Sequence, residues 1–178
     1  LGESDVLSQA AAILDEALND LSSAGSSFSF PLAGFDGFDT PSTFSQFNRA
    51  VKAVALVYSG NKSGALTALN SSFFNLNGDL KTGPKHVFSL SAGDFVNGLY
   101  KIIDNNGDQI IVHNSFIADA ESGDKRVENK TIARSDATTQ DGLNGTHQTR
   151  LYASNISPID IIRNEELVLL YAEANIPS

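Results

Sequence analysis

The sequence predicts a mainly α fold, in which tetratricopeptide-like pairs of antiparallel helices accompany a short β-hairpin and long irregular loops. Apolar residues recur at helical spacing over 5–22, 41–74 and 160–175. An Asn-Gly pair between two apolar runs predicts the hairpin, at 99–113. The chain has 178 residues, of which 41% are apolar, so we expect residues 1–178 to form a single domain with its own core.

The first helix is predicted over 5–22, with Ser4 as its N-cap and Gly25 just beyond its end. Its apolar residues lie three or four positions apart, which is typical of an amphipathic helix with one core-facing side. They are Val6, Ala10, Ile13, Ala17 and Leu21.

The helix pair at 41–74 begins at Thr40 and Pro41, which suit an N-cap and a first helical position. The segment Ser59-Gly60-Asn61 ends the first of the two helices, and the second follows at once. Two helices joined by so short a turn must be antiparallel neighbours. Their apolar faces consist of Phe44, Phe47, Val51, Val54 and Tyr58, and of Leu66, Leu69 and Phe73.

The hairpin and loop region covers residues 75–158. "LYKII" and "QIIVH" are predicted as the hairpin strands, with "DNNGD" at 104–108 as their turn. Residues 119–156 are polar and rich in turn-forming residues, and their apolar alternation is weak. We predict mostly coil for them.

The closing helix is predicted over 160–175, and apolar residues cover most of its circumference. Glu165, Glu166 and Glu173 share one narrow side. A surface helix would have a broader polar face, so we expect neighbours on at least two sides. One neighbour is the helix pair at 41–74. We expect the other to belong to a longer protein, and an apolar patch of this helix to be exposed here.

Composition and motifs exclude several functions. A net charge of −9 argues against nucleic acid as a partner and against electrostatic docking on anionic lipid. No cysteine is present, and the loop at 104–108 lacks the spacing of a calcium-binding EF-hand. The sequence contains no nucleophile elbow, no His-x-x-x-His frame and no phosphate-binding glycine loop. We therefore predict no catalytic residue, no metal and no cofactor.

A cluster of phenylalanines includes the near-tandem "GFDGFD" at 34–39. Phe35 and Phe38, with Asp36 and Asp39, are candidates for a sugar-stacking platform on a loop. The alternative, which we favour, is that the rings fold over the helix pair and bury their area there.

Three segments together resemble the SusD/RagB family. "IIRNEELVLLYAEANI" at 161–176 is similar to the hallmark helix of that family, through Arg163, Glu166, Ala172 and Glu173. "FNRAVKAVALVYSGNKSGALTALNSSF" at 47–73 resembles its helix pair. "FIADAESGDKR" at 116–126 resembles its turn ending in Asp-x-Arg, here Asp124 and Arg126.

The resemblance implies a non-enzymatic surface lipoprotein of the outer membrane, of the kind found in the Bacteroidetes group. Such proteins have a tetratricopeptide-like scaffold, cover a TonB-dependent transporter and capture glycans or other nutrients. The lipid anchor would lie outside this chain, which would be an internal fragment serving as scaffold. Two alternatives stay open: a tetratricopeptide-like adaptor that binds a peptide or protein, and, least favoured, a fragment of a secreted hydrolase.

Overall fold

Helices alternate with short antiparallel strands in a computed structural model that describes residues 2–32, 34–105, 107–140 and 142–177. The helices in this part of the chain are α1 (Glu3–Ser23), α2 (Pro41–Tyr58), α3 (Lys62–Asn70), α4 (Asn114–Ala118), α5 (Lys125–Lys130) and α6 (Asn164–Asn175). The strands are β1 (Lys85–His86), β2 (Thr131–Gln140), β3 (Leu143–Thr149) and β4 (Ile159–Asp160). The predicted helices are confirmed, but the strands make the fold mixed, so the mainly α prediction holds only in part.

Two compact units divide the chain. Unit 1 comprises Leu1–Val87 and Ile159–Ser178, and unit 2 comprises Phe88–Pro158. Unit 1 therefore contains α1, α2, α3 and α6 together with the paired strands β1 and β4. Unit 2 contains α4, α5 and the hairpin of β2 and β3.

Helix α1 begins two residues earlier than predicted, and its N-cap is Gly2. The prediction of Ser4 as the cap was wrong, because Ser4 already lies inside the helix. The carboxylate of Asp5 accepts a hydrogen bond from the Gly2 amide at 3.1 Å, which satisfies a donor at the helix start. Gly25 follows the end with φ 78°, a conformation that favours glycine.

Helix α2 starts as the sequence predicts. The Thr40 hydroxyl accepts from the Thr43 amide at 3.2 Å, and the Thr43 hydroxyl accepts from the Thr40 amide at 3.2 Å. Asn61 caps α3 by accepting from the Gly64 amide at 3.0 Å. Helix α3 ends at Asn70 and not near 74. Small residues bring α2 and α3 close together, since Ala50, Ala53 and Ala65 are fully buried between them.

Helix α6 begins at Asn164, four residues later than predicted, because Ile159 and Asp160 pair with His86 and Lys85 as strand β4. It packs against α2 and α3, which confirms the helix pair as its neighbour. Leu167 on the inner face is 0% exposed, whereas Leu169 on the outer face is 65% exposed. Leu169 is therefore an exposed apolar side chain on the outer face of α6.

The hairpin of unit 2 lies elsewhere than predicted. Strands β2 and β3 pair from Thr131↔Thr149 to Gln140↔Leu143, with an irregularity between Ala133 and Thr138. The prediction of coil for 119–156 was therefore wrong. The hairpin predicted at 99–113 was also wrong, because the described residues of that segment do not pair with each other; Asn106, in its turn, lies outside the described residues.

The "QIIVH" segment instead runs along β3. Ile111 forms a bridge with Gln148, and the Val112 amide donates to the His147 carbonyl at 2.9 Å. The Thr149 amide donates to the Ile110 carbonyl at 3.0 Å. The β-branched run was thus read correctly as extended, but its partner is β3, with Gln148 lying 37 residues beyond Ile111, rather than the preceding segment.

Candidate functional site

The phenylalanine loop packs onto the helices of unit 1. The Phe35 ring meets Phe44 edge-on with centroids 5.5 Å apart, and the Phe38 ring meets Phe73 at 5.0 Å. Phe38 is 7% exposed. Asp36 and Asp39 are exposed to solvent. The structure therefore places both candidate stacking rings against other rings, as the packing interpretation expects, and leaves the two acids at the surface.

The residues that carry the family resemblance at α6 lie mainly at its start and on its surface. Arg163 precedes the first turn, and its Nη2 lies 2.5 Å from Glu165 Oε2. Glu166, Ala172 and Glu173 are exposed. These residues line neither of the two clefts described below.

Asn164, within the same motif, was missed by sequence reasoning. It is 1% exposed, and its amide accepts from the Asn75 amide N at 2.9 Å and donates to the Asn75 carbonyl at 2.7 Å. Its own backbone N donates to the Thr82 carbonyl at 2.7 Å. Asn164 therefore fixes the 75–82 loop to the start of α6. No local pattern in the sequence reveals this contact, because it spans 89 positions.

Asp124 and Arg126 form a local pair at the start of α5. The Asp124 carboxylate caps the helix by accepting from the Arg126 amide at 2.9 Å, and Arg126 Nη2 donates to it at 2.6 Å. The side-chain hydrogen bond with Arg126 is the main reason why the pKa of Asp124 falls from 3.8 to about 2. The Asp-x-Arg turn is thus a helix cap reinforced by a guanidinium.

Unit 2 contains a cleft of about 520 Å³, which we call the neutral cleft. Its lining mixes amide, hydroxyl and imidazole side chains with aliphatic ones, and contains no Asp, Glu, Lys or Arg among the described residues. The lining residues are Gln109, Ile111, Val112, His113, Asn114, Thr138, Gly142, Leu143, Asn144 and Gly145.

Three arrangements shape the wall of the neutral cleft. The His113 Nδ1 atom accepts from the Ser115 amide at 3.2 Å, so a neutral His113 carries its hydrogen on Nε2. Asn114 Nδ2 donates to the Asn144 carbonyl at 2.8 Å, which ties the start of α4 to β3. A Cβ at Gly145 would lie 2.1 Å from the Ile111 Cγ2 atom, so only glycine permits this approach.

Gln109 has an unusual environment in the neutral cleft. Its Nε2 donates to the Thr138 hydroxyl at 3.1 Å, whereas its Oε1 is buried and has no hydrogen-bond partner in the described part of the chain. Leaving a buried acceptor unpaired costs about 1–3 kcal/mol. Sequence reasoning placed Gln109 in a strand but had no means of bringing Thr138 next to it.

Unit 1 contains a second cleft, of about 620 Å³, which we call the charged cleft. One face each of α1, α2 and α3 lines it, and small or hydroxylated side chains form most of its walls. Its charged residues are Asp15 from α1 and Arg49 and Lys52 from α2. Arg49 Nη1 lies 2.7 Å and Lys52 Nζ 2.6 Å from the same oxygen of Asp15.

The cations of the charged cleft change the acidity of Asp15. Hydrogen bonds from Arg49, and next from Lys52, hold the pKa of Asp15 below its ordinary value. Arg49 is itself buried, and it also donates to the Leu14 carbonyl at 2.6 Å and to Asn48 Oδ1. The Asp15 carboxylate thus forms ion pairs with both Arg49 and Lys52, and the Asp15 side chain is half exposed.

Metal binding and membrane crossing find no support in these geometries. Within the described ranges, no three His, Cys, Asp or Glu residues are grouped so that they could hold a metal ion. None of the helices described is both long and apolar enough to cross a membrane. Comparison of this chain with protein-family models, with curated proteins and with solved structures gives no match.

Proposed function

We propose that this chain is a non-enzymatic binding protein that captures a glycan or a similar hydroxylated nutrient in the neutral cleft of unit 2. It would act within an outer-membrane uptake system of the SusD/RagB kind, beside a TonB-dependent transporter, with unit 1 as its helical scaffold. The observation that carries the proposal is the chemistry of the neutral cleft, whose described lining offers hydrogen-bond donors and acceptors and contains no Asp, Glu, Lys or Arg.

The cleft lining suits a neutral, hydroxyl-rich ligand. Asn and Gln amides each offer donors and acceptors, as sugar hydroxyls do, and the Ile111, Val112 and Leu143 side chains provide apolar walls. A volume of about 520 Å³ lies within the range of ligand-binding clefts, about 300–1,000 Å³. A charged ligand would find no opposite charge among these side chains.

The unpaired oxygen of Gln109 supports ligand binding more directly. A ligand hydroxyl that donates to Oε1 would satisfy the one buried side-chain atom that lacks a partner in the described residues. If the side-chain amide is rotated by 180°, Oε1 takes the place next to the Thr138 hydroxyl and Nε2 becomes the unpaired atom. One buried polar atom of Gln109 therefore lacks a partner in either orientation. The Thr138 contact holds the amide in place and so orients it before the ligand arrives.

The scaffold role rests on the helices of unit 1. The α2–α3 pair, with α6 packed on both, would form part of a tetratricopeptide-like array in this proposal. The motif residues of α6 lie outside both clefts, which fits a structural role for them. The outer face of α6, with Leu169 exposed, would be covered in the complete assembly.

Glycan binding by the purified chain tests the proposal. A panel of neutral oligosaccharides of glucose, xylose, mannose and galactose on a glycan array would identify the preferred ligand, and calorimetry would measure its affinity. Replacing Gln109 by Met removes the amide while nearly keeping its shape. We expect the affinity to fall about tenfold, because one hydrogen bond and its desolvated acceptor are lost.

A purely structural role for Gln109 predicts instead that Gln109→Met loses stability and keeps its affinity for the ligand. The binding proposal predicts that its stability is kept. Gln109→Met removes the unpaired acceptor, which is favourable, and the hydrogen bond to Thr138, which is unfavourable, so we expect its free energy of unfolding to stay within about 0.5 kcal/mol of the wild type. Gln9, which is exposed on α1, offers the matched control: Gln9→Met should change neither affinity nor stability. If no neutral oligosaccharide binds, or if the best one binds Gln109→Met as tightly as the wild type, the proposal fails.

A further inference from the structure

The charged cleft of unit 1 has a feature that the capture of a neutral ligand does not explain. The chain carries a net charge of −9, yet two cations lie together in this cleft and share one carboxylate. The side chains of Arg49 and Lys52 are only 8% and 17% exposed. Buried charges require compensation, and one carboxylate compensates only one of these two.

Both cations keep donors beyond those used in the described structure. Lys52 Nζ donates to the two oxygens of Asp15, at 2.6 and 2.7 Å, out of its three N–H groups. Arg49 Nη1 donates one hydrogen to Asp15, while Nε and Nη2 donate to Asn48 and Nη2 also donates to the Leu14 carbonyl. The second hydrogen of Nη1 has no acceptor among these bonds. A ligand anion could accept from both cations beside the Asp15 carboxylate.

The rest of the cleft defines the kind of anion. Hydroxyl and amide side chains from all three helices line it, namely Ser8, Ser45, Asn61, Thr67 and Ser71. Alanine and leucine side chains such as Ala11, Ala68 and Leu56 complete the walls. This lining suits a ligand that has hydroxyl groups as well as at least one carboxylate.

We infer that the charged cleft is a second binding site, which takes a small hydroxylated carboxylate such as a uronic acid. The ligand carboxylate accepts from Lys52 and Arg49, and its hydroxyls bond to the serine, threonine and asparagine side chains of the walls. This inference does not rest on the neutral cleft, because the two clefts share no residue and take ligands of different charge.

Calorimetric titration of the full chain with trigalacturonate tests the inference, with neutral maltotriose as the comparison ligand. We expect trigalacturonate to bind the wild type, and Lys52→Gln to weaken that binding about tenfold or more, since a charge-assisted hydrogen bond is lost. Lys81, which is exposed outside the cleft, supplies the matched control, and Lys81→Gln should leave the affinity unchanged.

A second variant separates ligand binding from a purely structural salt bridge. Asp15→Asn removes the carboxylate that competes for the two cations, so trigalacturonate should bind this variant about tenfold more tightly than the wild type. Trigalacturonate at the same concentration should also raise the thermal unfolding midpoint of Asp15→Asn more than that of the wild type. If the wild type binds no trigalacturonate, or if Lys52→Gln binds it equally well, the inference is wrong. Weaker binding to a folded Asp15→Asn would contradict it too.

Discussion

The interior of unit 1 is mainly apolar, with Asn48, Arg49 and Asn164 as its buried polar side chains among the described residues, whereas the buried side chains of unit 2 are polar. The main cluster of unit 1 consists of alanine, valine, leucine and isoleucine residues from α1, α2, α3 and α6, together with Ile162. In the described part of unit 2, the buried side chains are Asn97, Thr131, Arg134 and Gln148. Unit 1 is therefore stabilised chiefly by apolar burial, and unit 2 by hydrogen bonds whose partners must all be in place.

Gln148 is the centre of the polar interior of unit 2. It is 0% exposed, and its Oε1 accepts from Arg134 Nη1 at 2.7 Å and from the Asp104 amide at 3.2 Å. Its Nε2 donates to the Ile102 carbonyl at 3.3 Å. The Asp104 carboxylate in turn accepts from the Ser135 amide at 2.9 Å. One side chain thus links β3, β2 and the 102–104 segment.

The largest expected effect comes from the apolar core of unit 1. Leu167→Ala removes a fully buried side chain between α6 and its neighbours, so we expect a loss of about 2–5 kcal/mol in the free energy of unfolding. Urea denaturation followed by the helical circular-dichroism signal measures it. Leu169→Ala, on the exposed face of the same helix, should stay within about 0.5 kcal/mol of the wild type. Equal losses in the free energy of unfolding for both variants would mean that α6 does not pack with Leu167 inward and Leu169 outward.

In the polar interior of unit 2, we expect a smaller loss of stability, which comes from a lost hydrogen bond rather than from lost apolar burial. Gln148→Leu adds apolar surface but removes an acceptor from the Arg134 guanidinium, so we expect a loss of about 1.5–3 kcal/mol. Hydrogen exchange of the Asp104 and Ser135 amides should accelerate in the same variant. Asn129→Leu, at an exposed site of α5, is the control and should leave that exchange unchanged. If Gln148→Leu is as stable as the wild type, the contrast between the two units is not real.

The same contrast explains which elements could be predicted from the sequence. Helices α1 and α2 were predicted to within two residues at each end, because their apolar side chains recur at the helical period and face one core. The capping role of Thr40 was predictable for a similar reason, since a cap involves residues only three positions apart. In α1 and α2, the apolar pattern and the cap that stabilise the helices are visible in the local sequence.

The hairpin of unit 2 could not be predicted in this way. The buried residues in the described parts of β2 and β3 are Thr131, Arg134, Gly145 and Gln148, so no apolar alternation marks these strands. The available signals were the Asp-Gly pair at 141–142 and the Asn-Gly pair at 144–145, both of which are hairpin turn sequences. The Asn-Gly pair at 106–107 has more apolar flanking residues, and the hairpin was predicted there.

Neither cleft was predictable from the sequence. The neutral cleft joins Gln109 to Thr138, and the charged cleft joins Asp15 to Arg49 across 34 positions. Single polar residues at such separations carry no periodic signal, and only the packing of α1 on α2 brings the second set together. The aromatic loop gave the more conspicuous pattern, yet its rings at Phe35 and Phe38 pack on the helices.

The smallest expected effect concerns an ion pair that is local in sequence. Asp15 and Arg49 of unit 1 lie on different helices, whereas Asp124 and Arg126 of unit 2 are two residues apart. The pKa of Asp124 is lowered from 3.8 to about 2, so its contribution to stability is complete above pH 3.8 and is lost as the pH falls towards 2. We expect Arg126→Gln to raise this pKa towards 3.8, as measured by a carbon-detected NMR titration of the carboxyl group.

The shift should be reduced but not abolished in Arg126→Gln, because the backbone amide at position 126 still donates to the Asp124 carboxylate. Lys125→Gln is the control: Lys125 pairs with Glu128, so the pKa of Asp124 should stay near 2. Since the cap and the ion pair both belong to one turn, Gln148→Leu should leave the Asp124 titration unchanged even where it opens the β2–β3 interior. A pKa that rises in Gln148→Leu would show that the α5 cap depends on the polar network, and that unit 2 has no independent local structure.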